Sequence, residues 1–183
     1  MLLVIPSLEH LPSYRAALES GWSPNTLSDA AIAQELARID ADPALFVASM
    51  VDREARGGPI TMPDGTLKPR LPGIRLWMWD NTFCGSIGLR WQPGTEELPS
   101  YVLGHIGYSV FPSMRNRGYA TRALAEILPY AKAEGLRYVD LTTDLDNVAS
   151  QRTILANGGV LQGEFTKDEH YGVKNGLRYR IGL

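Results

Sequence analysis

From Ser109 to Leu128 the chain reads SVFPSMRNRGYATRALAEIL, and few folds accommodate that order of residues. A β-rich apolar stretch breaks at Pro112 into two arginines and a glycine, then turns at once into an Ala- and Leu-rich helix. A helix N-terminus already carries partial positive charge, so arginines at its mouth imply that something negative belongs there. The first N–H groups of a helix have no internal acceptors and bind anions readily. Gly118 lets such a group approach the backbone with no Cβ in the way, and Ala120 keeps the helix start small. Arg115 and Arg117 add charge-assisted bonds to phosphate oxygens. The spacing is neither that of a Walker loop nor G-x-G-x-x-G. Taken alone, the segment also reads as a solvated basic turn.

Composition narrows the field. With 183 residues the chain fits one domain, 1–183, with enough material for a core. A formal charge of −2 argues against a general nucleic-acid binder. A single cysteine, Cys84, rules out an internal disulfide and points to a cytoplasmic setting. The opening MLLVIPSLEH lacks the basic and long apolar segments of a signal peptide, and no apolar run reaches the ~18 residues of a membrane span. His10, His105 and His170 have no metal-ligand spacing, so no metal is expected.

Periodicity predicts a strand at Leu2–Ile5 and helices at Leu8–Ser20 and Ser28–Ile39, the second capped by Ser28. Asp42–Arg56 reads as a third helix or an extension, and Gly57–Gly73 as a long loop or hairpin. Strands follow at Ile74–Trp79 and Phe83–Trp91, the latter with Phe83, Gly85, Ile87, Leu89 and Trp91 on one face. Gly104–Val110 is a strand and Gly118–Glu134 a helix with an inward stripe of Ala120, Leu124, Ile127 and Ala131, interrupted at Pro129. Tyr138–Thr143 is a strand and Asn147–Ala156 a helix. Strands Val160–Phe165 and Leu177–Ile181 close the chain.

The turn R-x-x-G-x-A resembles the acetyl-coenzyme A signature of the GNAT N-acetyltransferases. The preceding GYSVFP resembles the end of that family's fourth strand. GLRYVDLTTDLDNVASQRTILANGG resembles its fifth strand and next helix, with Asn147, Ser150 and Gly158 at the expected places. The resemblance is best over Phe83–Phe165 and implies an α+β (mixed α/β) GNAT fold. Its central, mostly antiparallel twisted sheet splays between the fourth and fifth strands and is flanked by helices. It further implies acetyl-CoA as co-substrate, its pantetheine arm on the strand edge at Tyr108, Ser109 and Val110. Its pyrophosphate would lie on the N–H groups of Arg117, Gly118, Tyr119, Ala120 and Thr121, with Arg115 alongside. Asn147 and Ser150 would stand near the thiol, and Arg122 or Arg152 near the 3′-phosphate. The implied reaction is direct attack of an amine on the thioester, polarised by the Val110 N–H.

Two family residues are missing. Many members carry a proton-donating tyrosine seven residues after the Asn, where this chain has Ile154. Some carry a glutamate base fourteen residues before the signature glycine, where it has Gly104. Substitute candidates are His105, with a pKa suited to proton transfer, and Asp144 or Asp146, each equally at home as a helix cap. Glu169, His170 and Tyr171 read as either a polar turn or part of the site. The acceptor is a small-molecule or peptide amine, and Asp80, Glu96 and Glu97 hint at a cationic one. A homodimer is left open. The competing reading, motivated by the two missing residues, is a GNAT-like module that binds acyl-CoA and senses or regulates without turnover. A hydrolase is disfavoured because GYSVF lacks the second glycine of a nucleophile elbow.

Overall fold

The computed structural model describes residues 1–25, 30–62, 64–167 and 175–183. Ser28, Glu169, His170 and Tyr171 lie outside them, so those expectations have no structural counterpart.

The chain begins with β1 (Leu2–Val4), followed by helices α1 (Leu11–Glu19), α2 (Ala31–Ala41) and α3 (Pro43–Ala48). The segment expected to be one long helix after Asp42 is therefore short. The Asp42 carboxylate accepts the Leu45 N–H at 2.9 Å and Pro43 occupies the first turn, which starts α3 sharply. The chain then re-enters the sheet as β2 (Val51–Asp52), pairing with β5 (Gly73–Trp79). Gly57–Gly73 holds a small hairpin, β3 (Ile60–Thr61) with β4 (Leu67–Lys68).

An antiparallel sheet runs in the order β1, β5, β6 (Phe83–Arg90), β7 (Ile106–Val110), with β2 also on β5. A second sheet runs β8 (Tyr138–Asp144), β10 (Asn175–Gly182), β9 (Val160–Thr166), also antiparallel. Helix α4 (Tyr119–Ala133) connects β7 of the first sheet to β8 of the second. Helix α5 (Val148–Leu155) follows β8. Among the described residues no helix is long and apolar enough to cross a membrane.

Two cores hold the layers together. Ala123, Leu124, Ile127 and Ala131 of α4 pack with Ile87, Leu89, Ile106, Val139, Leu141 and Ile154. On the opposite side Tyr14, Trp22, Phe46, Trp77 and Phe83 form an aromatic cluster, with Tyr14 stacked on Trp77 at 4.5 Å between ring centres. Trp77 and Trp91 are thus core residues. Phe83 departs from its expected face. The β5–β6 register shifts between Met78 and Trp79, so Phe83 turns into the aromatic cluster while Cys84, Ile87 and Leu89 point to α4. A bulge of this kind breaks the two-residue period.

Candidate active site

The two sheets meet where β7 begins. His105 N–H donates to the Asp140 carbonyl at 2.7 Å, and the Asp140 N–H donates to His105 Nδ1 at 3.0 Å. A Cβ on Gly104 would come within 2.9 Å of the Asp140 carbonyl oxygen and 3.3 Å of the Leu141 Cα. Gly104 therefore stands where some GNAT enzymes keep glutamate because the strands touch there. Beyond this contact β7 and β8 belong to different sheets.

The gap leaves one edge of β7 open. Arg90 N–H donates to the His105 carbonyl and Phe111 N–H to the Cys84 carbonyl. By antiparallel alternation Gly107 and Ser109 also spend their backbone groups on β6, whereas Ile106, Tyr108 and Val110 turn theirs outward. Arg115 reaches this edge, its Nε donating to the Val110 carbonyl at 3.3 Å. Of the three strand residues named from sequence, Tyr108 and Val110 present backbone groups to the gap. Ser109 faces β6, and its hydroxyl donates to the Ser23 carbonyl at 3.3 Å.

A cleft of about 220 Å³ occupies the gap, lined among others by Gly107, Tyr108, Thr143, Asp144, Asn147 and Ser150. Asn147 caps α5, its side-chain oxygen accepting the Ser150 N–H at 3.1 Å. The Tyr108 phenol lies 2.8 Å from the Ser150 hydroxyl, and burial pushes its pKa above the ordinary tyrosine value. Ile154, at the vacant tyrosine position, is fully buried. Tyr108 brings a phenol to α5 from the facing strand instead. Thr143, only 6 % exposed, has a hydroxyl with no hydrogen-bond partner among the described residues and lines the same cleft. Buried polar groups are nearly always bonded, so this one is suited to a ligand.

At the start of α4 the first intrahelical bond runs from Arg122 N–H to the Gly118 carbonyl at 3.0 Å. The N–H groups of Tyr119, Ala120 and Thr121 precede it and have no intrahelical acceptor. Asn116 and Gly118 both adopt the left-handed conformation, φ +61° and +74°, and the space a Gly118 Cβ would enter is open. Arg115 and Arg117 are exposed beside this turn. The Tyr119 phenol donates to Asp80, anchoring the helix start to the β5–β6 turn. Arg122 pairs with Glu126 at 2.7 Å, and Arg152 is exposed on α5. An Asn157 amide joins the helices, donating to the carbonyls of Thr121 and Thr153.

The candidate catalytic residues separate. Asp144 ends β8 in the cleft, half-exposed and ion-paired with Lys167, a residue that sequence reasoning did not single out. Asp146 is exposed in the loop after it. His105 is 1 % exposed, and with Nδ1 as an acceptor its proton sits on Nε2, which is buried without a partner among the described residues. Burial lowers its pKa. A histidine depressed in this way contributes stability in full above its unfolded pKa of about 6.5, and that contribution is lost as pH falls through the folded value. The melting temperature should drop between pH 7 and 5, and His105→Gln should flatten the drop. An equal drop in both proteins would locate the sensitivity elsewhere.

Cys84 is buried and its thiol pKa is raised, chiefly by desolvation, so it is no nucleophile. Among the described residues no cluster suits a metal ion.

Residues 20–160 match the model of the acetyltransferase (GNAT) domain. No curated protein matches the sequence significantly. Several solved structures share the fold. RimL, a ribosomal L7/L12 α-N-protein acetyltransferase in complex with coenzyme A, is 16% identical with a TM-score of 0.66, over 99% of this chain and 93% of that one. Mycobacterium smegmatis RimJ, in complex with CoA-disulfide, is 17% identical with a TM-score of 0.66, over 99% and 81%. The microcin C7 self-immunity acetyltransferase MccE, in complex with acetyl-CoA and AMP, is 14% identical with a TM-score of 0.60, over 99% and 91%. With the signature turn, the splayed strands and a domain match over most of its length, this chain belongs to the GNAT acetyltransferase family.

Proposed function

We propose that the protein is an acetyl-CoA-dependent N-acetyltransferase that acetylates an amine by direct attack. The observation that carries this reading is the open edge of β7 facing a cleft with a buried Thr143 hydroxyl that has no partner among the described residues. Such an edge offers donors and acceptors to the amides of an extended pantetheine arm. The start of α4, with Arg115 and Arg117, suits its pyrophosphate. Acetyl-CoA supplies the activated thioester. The chain's own groups do the rest. The Val110 N–H, turned outward, polarises a carbonyl held at the edge. Tyr108 and Ser150 hold a proton between two hydroxyl oxygens and donate it to a leaving thiolate. Asp144 offers a carboxylate to the incoming amine.

Titration calorimetry with acetyl-CoA and thiol release with a panel of amines test this together. Arg115→Ala and Arg117→Ala should each weaken binding by about 1.5–3 kcal/mol, the range for hydrogen bonds to charged groups. Unchanged affinity in both would return the arginines to a solvated turn. Tight binding with no transfer to any amine would favour the sensor instead.

A further inference from the structure

The acidic residues that hint at a cationic acceptor are not at the cleft. Glu96 is gripped by Arg137 through contacts of 2.6 and 3.2 Å, which pulls its pKa down to about 2, and Asp80 accepts from Tyr119 beside the cofactor turn. The charged groups lining the cleft among the described residues are instead Arg90, Asp144 and Lys167. Asp140, earlier on the same strand as Asp144, is held bidentately by Arg180 at 2.7 and 2.8 Å.

Lys167 is the unusual member. Its side chain is 8 % exposed, whereas that of its partner Asp144 is 54 % exposed. The carboxylate side chain keeps much of its exposure while the lysine side chain is almost wholly withdrawn from solvent, so among the described residues the buried cation has one half-exposed counter-charge. A lysine ammonium has three donors, and one is used here among the described residues. Arg90 lies across the same space, its guanidinium nitrogen 3.4 Å from where a Gly107 Cβ would sit. The absent side chain at Gly107 leaves room beside these cations.

We propose that the acceptor is an amine that carries its own carboxylate, with the amine on Asp144 and the carboxylate on Lys167 beside Arg90. This rests on the transferase reading above and names its acceptor class. The acceptor inserts into the resting ion pair, replacing one carboxylate–ammonium contact with two. The carboxylate can come from a free α-amino acid or from an acidic side chain near a peptide N-terminus.

Matched acceptors separate these sources. Glycine is compared with glycinamide, and the dipeptide amide Ser-Glu with Ser-Gln, by thiol release from acetyl-CoA and mass analysis of the product. The anionic member of at least one pair should show kcat/KM higher by about tenfold, and the pair that shows it names the source. In Lys167→Met the ratio should collapse toward one, while Lys167→Arg should keep most of it. Circular dichroism and the acetyl-CoA dissociation constant check that each variant is folded. Equal rates within both pairs, faster neutral amines, or an undiminished ratio in a folded Lys167→Met would overturn the assignment. If acetyl-CoA binds and no amine of any kind is acetylated, the transferase reading fails and this assignment with it. Acetylation of cationic or neutral amines alone sinks only the assignment.

Discussion

The double variant Tyr108→Phe, Ser150→Ala should lower kcat by ~10²–10⁴, the usual contribution of a positioned proton donor, with no comparable change in acetyl-CoA affinity. Both substitutions keep the packing: phenylalanine fills the same space beside α5, and the Asn147 cap still bonds the Ser150 N–H. What disappears is the hydroxyl pair. Each single variant should cost less than the double, because the remaining oxygen can still pass a proton from water. The pH profile adds an independent check. Burial raises the Tyr108 pKa above its ordinary value of about 10, so the donor stays protonated through neutral and mildly alkaline pH. The rate should rise as the acceptor amine loses its proton and then level off. Wild-type kcat in the double variant would show that the thiolate takes its proton from solvent, and a falling limb near pH 8 would reveal a different acid.

The second large effect concerns a residue outside the chemistry. Gly85 adopts φ +154°, and a Cβ there would lie 2.5 Å from the Ser109 carbonyl oxygen and 2.9 Å from the Val110 Cα. Both obstacles are backbone, so no rotamer change relieves them. Conformational strain of about 1–3 kcal/mol adds to an overpacking penalty of about 1–3 kcal/mol. Gly85→Ala should therefore destabilise the protein by roughly 2–6 kcal/mol, lowering the melting temperature by about 4–20 °C at this chain length. Because Gly85 pairs with Val110, the relief would push the open edge of β7 toward the cleft and weaken cofactor binding as well. A melting curve superimposable on wild type would mean that the strand pair tolerates the side chain, and that the edge is not set by Gly85.

The parts of this architecture that sequence makes visible are those governed by local chemistry. The strand–turn–helix at Arg115–Ala120 announces itself because a proline, two arginines and a glycine stand between an apolar strand and an Ala- and Leu-rich helix. Asn147 is legible as the start of a helix, and its capping of the Ser150 N–H is added by the structure. Long-range geometry is hidden. Phe83 changes face because of a register shift against β5, which no pattern within β6 reveals. Val51 and Asp52 join the sheet only because β5 offers them a partner. His105 looks like a base until Asp140, 35 residues on, claims its Nδ1. Tyr108 is named from sequence for its backbone, and only the approach of α5 brings its phenol to the Ser150 hydroxyl. Lys167 gives no local signal at all. Its significance comes from burial beside a carboxylate on another strand.

The seam between the two sheets has a thermodynamic consequence. Where β7 and β8 diverge past His105 and Asp140, the folded protein lacks the strand-to-strand bonds that elsewhere knit its sheets. A ligand laid in that gap is bound by the native state and not by the unfolded chain. By mass action it adds about 2.7 kcal/mol of stability at a hundredfold excess over its dissociation constant. Were that ligand the proposed acyl-CoA, the half-life of the polypeptide in a cell would follow its supply.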